Sequence, residues 1–112
     1  MPFRDAPHQR PALTAPSTEE ARRIGRTLVE ERLIGCVNVV GPVQSIYRWQ
    51  DAVEEAEEHL LVMKARAADV EAIAGRVCAL HSYEVPEVVA LPLTAGSEGY
   101  LAWLAAVTDR RG

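Results

Sequence analysis

The chain has 112 residues, 48% hydrophobic and 25% charged, the balance of one soluble globular domain. Twelve basic against sixteen acidic side chains leave a formal charge of −4, which argues against a nucleic-acid binder, and no basic amphipathic stretch points to a membrane surface. No apolar run approaches the roughly 18 residues of a membrane span, the N-terminus lacks the apolar core of a signal peptide, and Cys36 and Cys78 make neither a disulfide framework nor a close metal-ligand spacing; a cytoplasmic protein with free thiols is expected.

Residues 1–10 are polar, carry Pro2 and Pro7, and read as a loose tail before a single domain over 11–112. "PALTAPS" gives a short strand with Pro11 at its start. "STEEARRIGRTLVEERLIG" predicts a helix: Ser17 is the N-cap and Glu20, three residues on, completes a capping box. Ala21, Ile24, Gly25, Leu28 and Arg32 share one face, and Gly35 suits a left-handed helix end. "CVNVVGPVQSIYRWQ" is strand-like, and Gly41-Pro42 inside it implies a bulge on an edge strand. A hairpin turn through Gln50, Asp51 and Ala52 leads into "DAVEEAEEHLLVMKAR". The acidic half of that strand, Glu54 to Glu58, faces solvent or a partner, and His59 to Lys64 is the buried half. "AADVEAIAGRVCALH" places Val70, Ile73, Ala74, Val77, Leu80 and His81 on the repeat of a second helix. Glu87 to Leu93 reads as a buried strand. "GSEGYLAWLAAVTDRRG" closes the chain with a third helix, capped by Ser97, apolar on Tyr100, Trp103, Leu104 and Val107, with Arg110 and Arg111 at the negative end of its dipole.

The order predicts an α+β fold, a ferredoxin-like βαββαβ sandwich with an extra C-terminal helix. Right-handed crossovers put strands one and three in the centre and the proline-bearing strands two and four on the edges. Strands two and three form a hairpin of about 15 residues per arm, near 50 Å long, against a radius of gyration of about 13 Å for such a domain. An arm that overhangs its own domain, with exposed edge and aromatics, predicts pairing with other copies.

"TAPSTEEARRIGRTLVEERLIGCVNVV", "SIYRW", "HSYEVPEVVALPL" and "GYLAWL", in order and at the right spacing, closely resemble the CutA family, the divalent-cation tolerance proteins, from Leu13 to about Val107. The resemblance implies a tight homotrimer with strands paired between subunits, a fold kinship with the trimeric PII-type nitrogen-signalling proteins, and a link to copper and other divalent cations; no organic cofactor is evident in the sequence. It implies no settled reaction, and fold kinship carries no function. Cys36 matches the family's cysteine at the start of strand two; Tyr47 and Trp49 match its aromatic pair; Glu58 and Lys64 match an acid and a lysine on strand three; His81, Tyr83 and Glu87 match the histidine, tyrosine and acid of the pattern before strand four. The sequence departs from the family in a first strand poor in β-branched residues, in "QDAV" where a Gly-Lys is usual, and in Ser82 where a proline is usual.

Each of these positions also has a plain structural reading. Cys36 is either a packed thiol or, with His81, a ligand for copper, which favours thiolate and imidazole. His81 is either a helix-end histidine bonded to the last carbonyls or a ligand or acid–base group. Tyr47 and Trp49 share a strand face with Ser45, as interface anchors or as a stacking surface. Glu58 and Lys64 share a face nearly 20 Å apart, so only different subunits bring them into one site. The run Glu54 to Glu58 is a solvated acidic face or a weak hold on a hard cation. Glu87 caps the preceding turn or pairs with Lys64 or an arginine, and Cys78 is structural. His81, Tyr83 and Glu87 thus gather at the mouth of strand four, where a subunit boundary falls. No nucleophile–base pair, phosphate loop or dense metal motif is present, so no catalytic residue is assigned. The expected function is a trimeric, metal-responsive binding or signalling module; the other readings are a trimeric scaffold for other proteins and an enzyme with an inter-subunit active site.

Overall fold

The structure, a computed structural model, describes residues 8–111. In chain order it forms β1 (His8–Ala15), α1 (Thr18–Glu30), β2 (Cys36–Trp49), β3 (Ala52–Arg66), a short 3-10 turn (Ala67–Asp69), α2 (Val70–Leu80), β4 (Val89–Pro92) and α3 (Glu98–Val107). The strands make one antiparallel sheet in the order β2-β3-β1-β4. This is an α+β architecture with the first and third strands central and Gly41-Pro42 and Pro92 on opposite edges, as their missing amide donors require. Leu13 and Ala15 of β1 and Leu61, Met63 and Ala65 of β3 alternate onto one face. There they form the core with Ala21, Ile24 and Leu28 of α1 and Ile73 and Val77 of α2.

The other face carries Ala12 and Thr14 of β1, registered with Val62 and Leu60 of β3, and Val89 of β4 beside Ala12. α3 packs at one end of it, where Arg66 donates to the Thr108 hydroxyl at 2.9 Å and also to the Ala105 carbonyl. Elsewhere on this face Val40, Val89 and Leu91 stand 48%, 52% and 51% exposed.

Local signals set several boundaries. The Glu20 amide donates to Ser17 Oγ at 3.1 Å, the expected N-cap. Gln50 and Asp51, both with positive φ (49° and 65°), make a two-residue hairpin turn whose twist matches the strands. The bulge falls where Gly41-Pro42 predicts it, between Val40 and Val43, and the Gly41-Pro42 peptide is cis.

Other expectations are corrected. β1 starts at His8, inside the expected tail, so Pro11 lies within a central strand rather than at its start. The ladder to β3 registers Gln9 with Ala65 and Ala12 with Val62 but skips Arg10 and Pro11, so on that side the missing donor interrupts the ladder, while on the other side Pro11 registers with Ala90 of β4. The rest of the expected tail, residues 1–7, lies outside the described residues. The capping box is only half made: Glu20 does not return to Ser17 but bonds Ser82, 62 residues on. Arg32 (φ 61°), not Gly35, takes the left-handed position after α1, which removes Arg32 from the helix face. Gly35 serves a close approach instead, since a Cβ there would lie 2.5 Å from Leu104 Cδ1 on α3. The fourth strand is shorter than Glu87–Leu93 and is not buried, because β4 has only β1 beside it. Arg110 and Arg111 lie beyond α3: Arg110 forks onto the buried Asp69 and Arg111 pairs with Asp109, so neither serves the helix dipole.

Candidate functional site

The bulge at Gly41-Pro42 is what builds the site. It adds one residue to β2, so Val40 registers with Leu60 but Val43 with Glu58. The shift flips the side-chain alternation of the outer half of β2. Ser45, Tyr47 and Trp49 therefore share the face of Glu58, away from the helix-covered core. The loop after α2 crosses the same region. Tyr47, Trp49, Glu58, Tyr83, Glu84 and Glu87 line a cavity of about 530 Å³, with Thr14 and Ser45 also in its wall. The aromatic pair, Tyr83 and the acids Glu58, Glu84 and Glu87 thus meet within one chain.

Glu58, only 6% exposed, accepts the Tyr83 hydroxyl at 2.8 Å. Burial of that hydroxyl, and then the carboxylate beside it, push the Tyr83 phenol well above the ordinary tyrosine range. Tyr83 is therefore held as a donor.

His81 caps α2 with its side chain fully buried. Its Nδ1 accepts the Tyr83 amide at 2.9 Å, so the ring proton sits on Nε2, which donates to the Thr14 carbonyl at 2.7 Å. The imidazole lies 4.6 Å, centroid to centroid, from the Tyr83 ring. Glu20 Oε2 approaches Nδ1 to 3.3 Å while it accepts both the amide (3.0 Å) and the hydroxyl (2.9 Å) of Ser82. Burial pushes the Glu20 carboxyl up, but the two Ser82 bonds and the nearby Arg23 guanidinium outweigh it and hold it below the usual glutamic acid range. A chain of contacts thus runs from α1 through Glu20, Ser82 and His81 to Tyr83 and Glu58. The expectation that His81 would meet the last carbonyls of α2 is corrected: its partner is on β1.

Cys36 lies elsewhere. It registers with Lys64, whose ammonium stands 3.9 Å from Sγ and donates to the Asn38 side chain. Burial and the neighbouring Cys36 thiol push the Tyr100 phenol up. His81 is anchored at Thr14, which registers with Leu60, four residues along β3 from Lys64, about 13 Å away. The chain therefore does not bring Cys36 and His81 together, and both imidazole nitrogens are already committed. Among the described residues no group of three or more His, Cys, Asp or Glu gathers to hold a metal ion. Within one chain the Cys36–His81 pair does not fit a copper site. Lys64 and Glu58 stand apart on their shared face, as spacing requires, and Glu87 has no Lys64 contact. Cys78 is exposed, not a packed thiol. Sequence reading missed Thr14 and Glu20, because their partners lie 67 and 62 residues away and no local pattern marks them.

A family model described as CutA1 divalent ion tolerance protein matches residues 12–107. The chain is similar to the divalent-cation tolerance protein CutA of Thermus thermophilus, at 51% identity over 92 residues that cover 82% of this chain and 89% of that one. It is similar to Protein CutA of Homo sapiens, at 40% identity over 97 residues that cover 87% of this chain and 54% of that one. The chain spans about half the length of the plant and human relatives it matches. Two solved structures are similar: the divalent cation tolerance protein of Thermus thermophilus (TM-score 0.85, 48% identity, 87% of this chain and 94% of that one) and CutA1 of Oryza sativa (TM-score 0.90, 36% identity, 95% and 97%). With a family model over most of its length and relatives at this identity, the chain belongs to the CutA1 divalent ion tolerance family.

Proposed function

We propose that the protein acts as a homotrimeric, divalent-cation-responsive binding module of the cytoplasm. In this reading ligand clefts lie at the subunit boundaries, copper is the ion, and the ferredoxin-like order of elements gives a signalling-type trimer of the PII kind. The carrying observation is the sheet face on which Val40, Val89 and Leu91 remain half-exposed, together with the edge strand β2, which among the described residues has no neighbour on its outer side. An uncovered apolar face next to an open edge favours association with further copies. The two free thiols suit a reducing compartment. Because His81 is fully bonded, copper falls to the partly exposed thiol of Cys36, a soft ligand, with further ligands from other subunits.

Native mass spectrometry with and without copper tests this directly. The expected result is a trimer that takes up copper, loses it with Cys36→Ser, and keeps it with His81→Ala. A monomer at micromolar concentration, or copper uptake indifferent to Cys36→Ser, would overturn it.

A further inference from the structure

We infer that the cavity between the β2–β3 hairpin and the loop after α2 binds a small organic cation, an alkylammonium or guanidinium compound, in a cage of Tyr47, Trp49 and Tyr83 closed by the carboxylates of Glu58, Glu84 and Glu87.

Three observations carry this. First, the walls combine three aromatic rings with three carboxyl groups, and among the described residues no lysine, arginine or histidine lines the cavity. Ring faces attract cations that are weakly hydrated and bulky, and carboxylates set the sign of charge. Second, Glu58 is 6% exposed, and among the described residues it has one hydrogen-bond donor, Tyr83, and no ion pair. A carboxylate withdrawn from water without a counter-charge is costly, so the site is matched to a cation arriving from outside. Third, the volume, about 530 Å³, is that of a small-molecule pocket rather than of a bare metal ion. Its acids are not grouped for metal coordination. Trp49 and Tyr47 stand 54% and 44% exposed, so the cage is open at the hairpin side.

The Glu20–Ser82–His81 contacts give this cage a fixed wall. They tie the residue before Tyr83 to α1 and the Tyr83 amide to a buried ring, so the phenol is placed before any ligand arrives. The inference does not rest on the copper reading, since neither Cys36 nor His81 lines the cavity.

The test uses the full chain with Trp103→Phe, which leaves Trp49 as the sole indole reporter. Its emission is titrated at constant ionic strength with choline, with agmatine, and with 3,3-dimethylbutan-1-ol, the uncharged counterpart of choline. Oligomer mass is read in the same buffer. Saturable binding is expected for a cation, at least about tenfold tighter for choline than for the neutral alcohol. Glu58→Gln should weaken choline binding at least about tenfold. If that variant fails to fold, Glu87→Gln, at an exposed position, should weaken it severalfold. Equal binding of the neutral alcohol would overturn the inference. So would the absence of any saturable response with the oligomer intact, which would mean that a basic side chain of a neighbouring copy fills the cage. Displacement of choline by equimolar copper would also overturn it, by making the cage a metal site. Failure of the copper test above leaves this titration unaffected.

Discussion

Tyr83 reaches back from the loop after α2 to donate its hydroxyl to Glu58 Oε2 at 2.8 Å, and this bond joins two elements that share no backbone pairing. Tyr83→Phe should leave the buried carboxylate without its donor. We predict a loss of about 1–3 kcal/mol in urea unfolding, the cost of an unsatisfied buried acceptor. The pH dependence follows from the raised phenol. A folded pKa above the ordinary 10.0 stabilises the fold in full below about pH 10, and the contribution is lost as pH climbs through the raised folded value. The stability gap between wild type and Tyr83→Phe should therefore be flat from pH 7 to 9 and shrink above pH 10. A gap that is zero at pH 8 would show that the bond contributes nothing.

Glu20 works with the opposite sign. Its carboxyl is held below the usual 4.5, so its stabilising effect is complete above that value and disappears as pH falls through the lower folded one. Glu20→Gln should cost about 1 kcal/mol at pH 7, the difference between a charged and a neutral acceptor, and progressively less as pH falls through the lowered folded value. Amide exchange at Ser82 should quicken in the variant at neutral pH. Equal exchange rates would detach Glu20 from the loop.

Two glycines should respond in opposite directions to the same substitution. At Gly35 a new Cβ would sit 2.5 Å from Leu104 Cδ1 and 3.1 Å from Val107 Cγ2, so Gly35→Ala should push α3 away and cost about 1–3 kcal/mol. At Gly75, within α2, a Cβ meets nothing within 4 Å, so Gly75→Ala should stabilise by roughly 0.5–1 kcal/mol through helix propensity. Thermal unfolding of the two single variants reads both signs. Stabilisation by Gly35→Ala would show that α3 does not pack where it is placed.

These residues show which parts of the molecule can be read from sequence. Ser17, Gly41-Pro42 and the Gln50–Asp51 turn are set by backbone constraints within a few residues, and each falls where the sequence implies. The sharing of one face by Ser45, Tyr47 and Trp49 is legible too, because strand alternation needs only parity. What that face opposes is not, because the single residue added by the bulge decides that Glu58 rather than Glu57 joins it. Glu20 reads as a capping residue since nothing local reveals Ser82 across the fold. Gly35 reads as a helix terminus because a close approach and a left-handed turn leave the same letter in a sequence. The Cys36–His81 pairing rests on ligand chemistry and on the family's link to copper, neither of which carries spatial information, and the register of β1 with β3 separates them.

The half-exposed sheet face gives the sharpest test of assembly. Leu91 stands 51% exposed on β4, beside β1, so a lysine there should leave the isolated chain folded. If the face is buried between copies, the same lysine loses the burial of a leucine, about 1.5–3 kcal/mol per chain. In a trimer it acts three times, on the order of 5 kcal/mol per assembly, which is more than a thousandfold in the association constant. Sedimentation of Leu91→Lys should therefore show a smaller species at micromolar concentration, with the circular dichroism of the folded chain retained. Val29→Lys is the control: Val29 is 39% exposed on α1, away from this face, and its replacement should leave the mass unchanged. An unchanged mass for Leu91→Lys would remove the sheet face from the interface. It would leave the β2 edge and the hairpin tip, with Tyr47 and Trp49, as the surface through which copies meet.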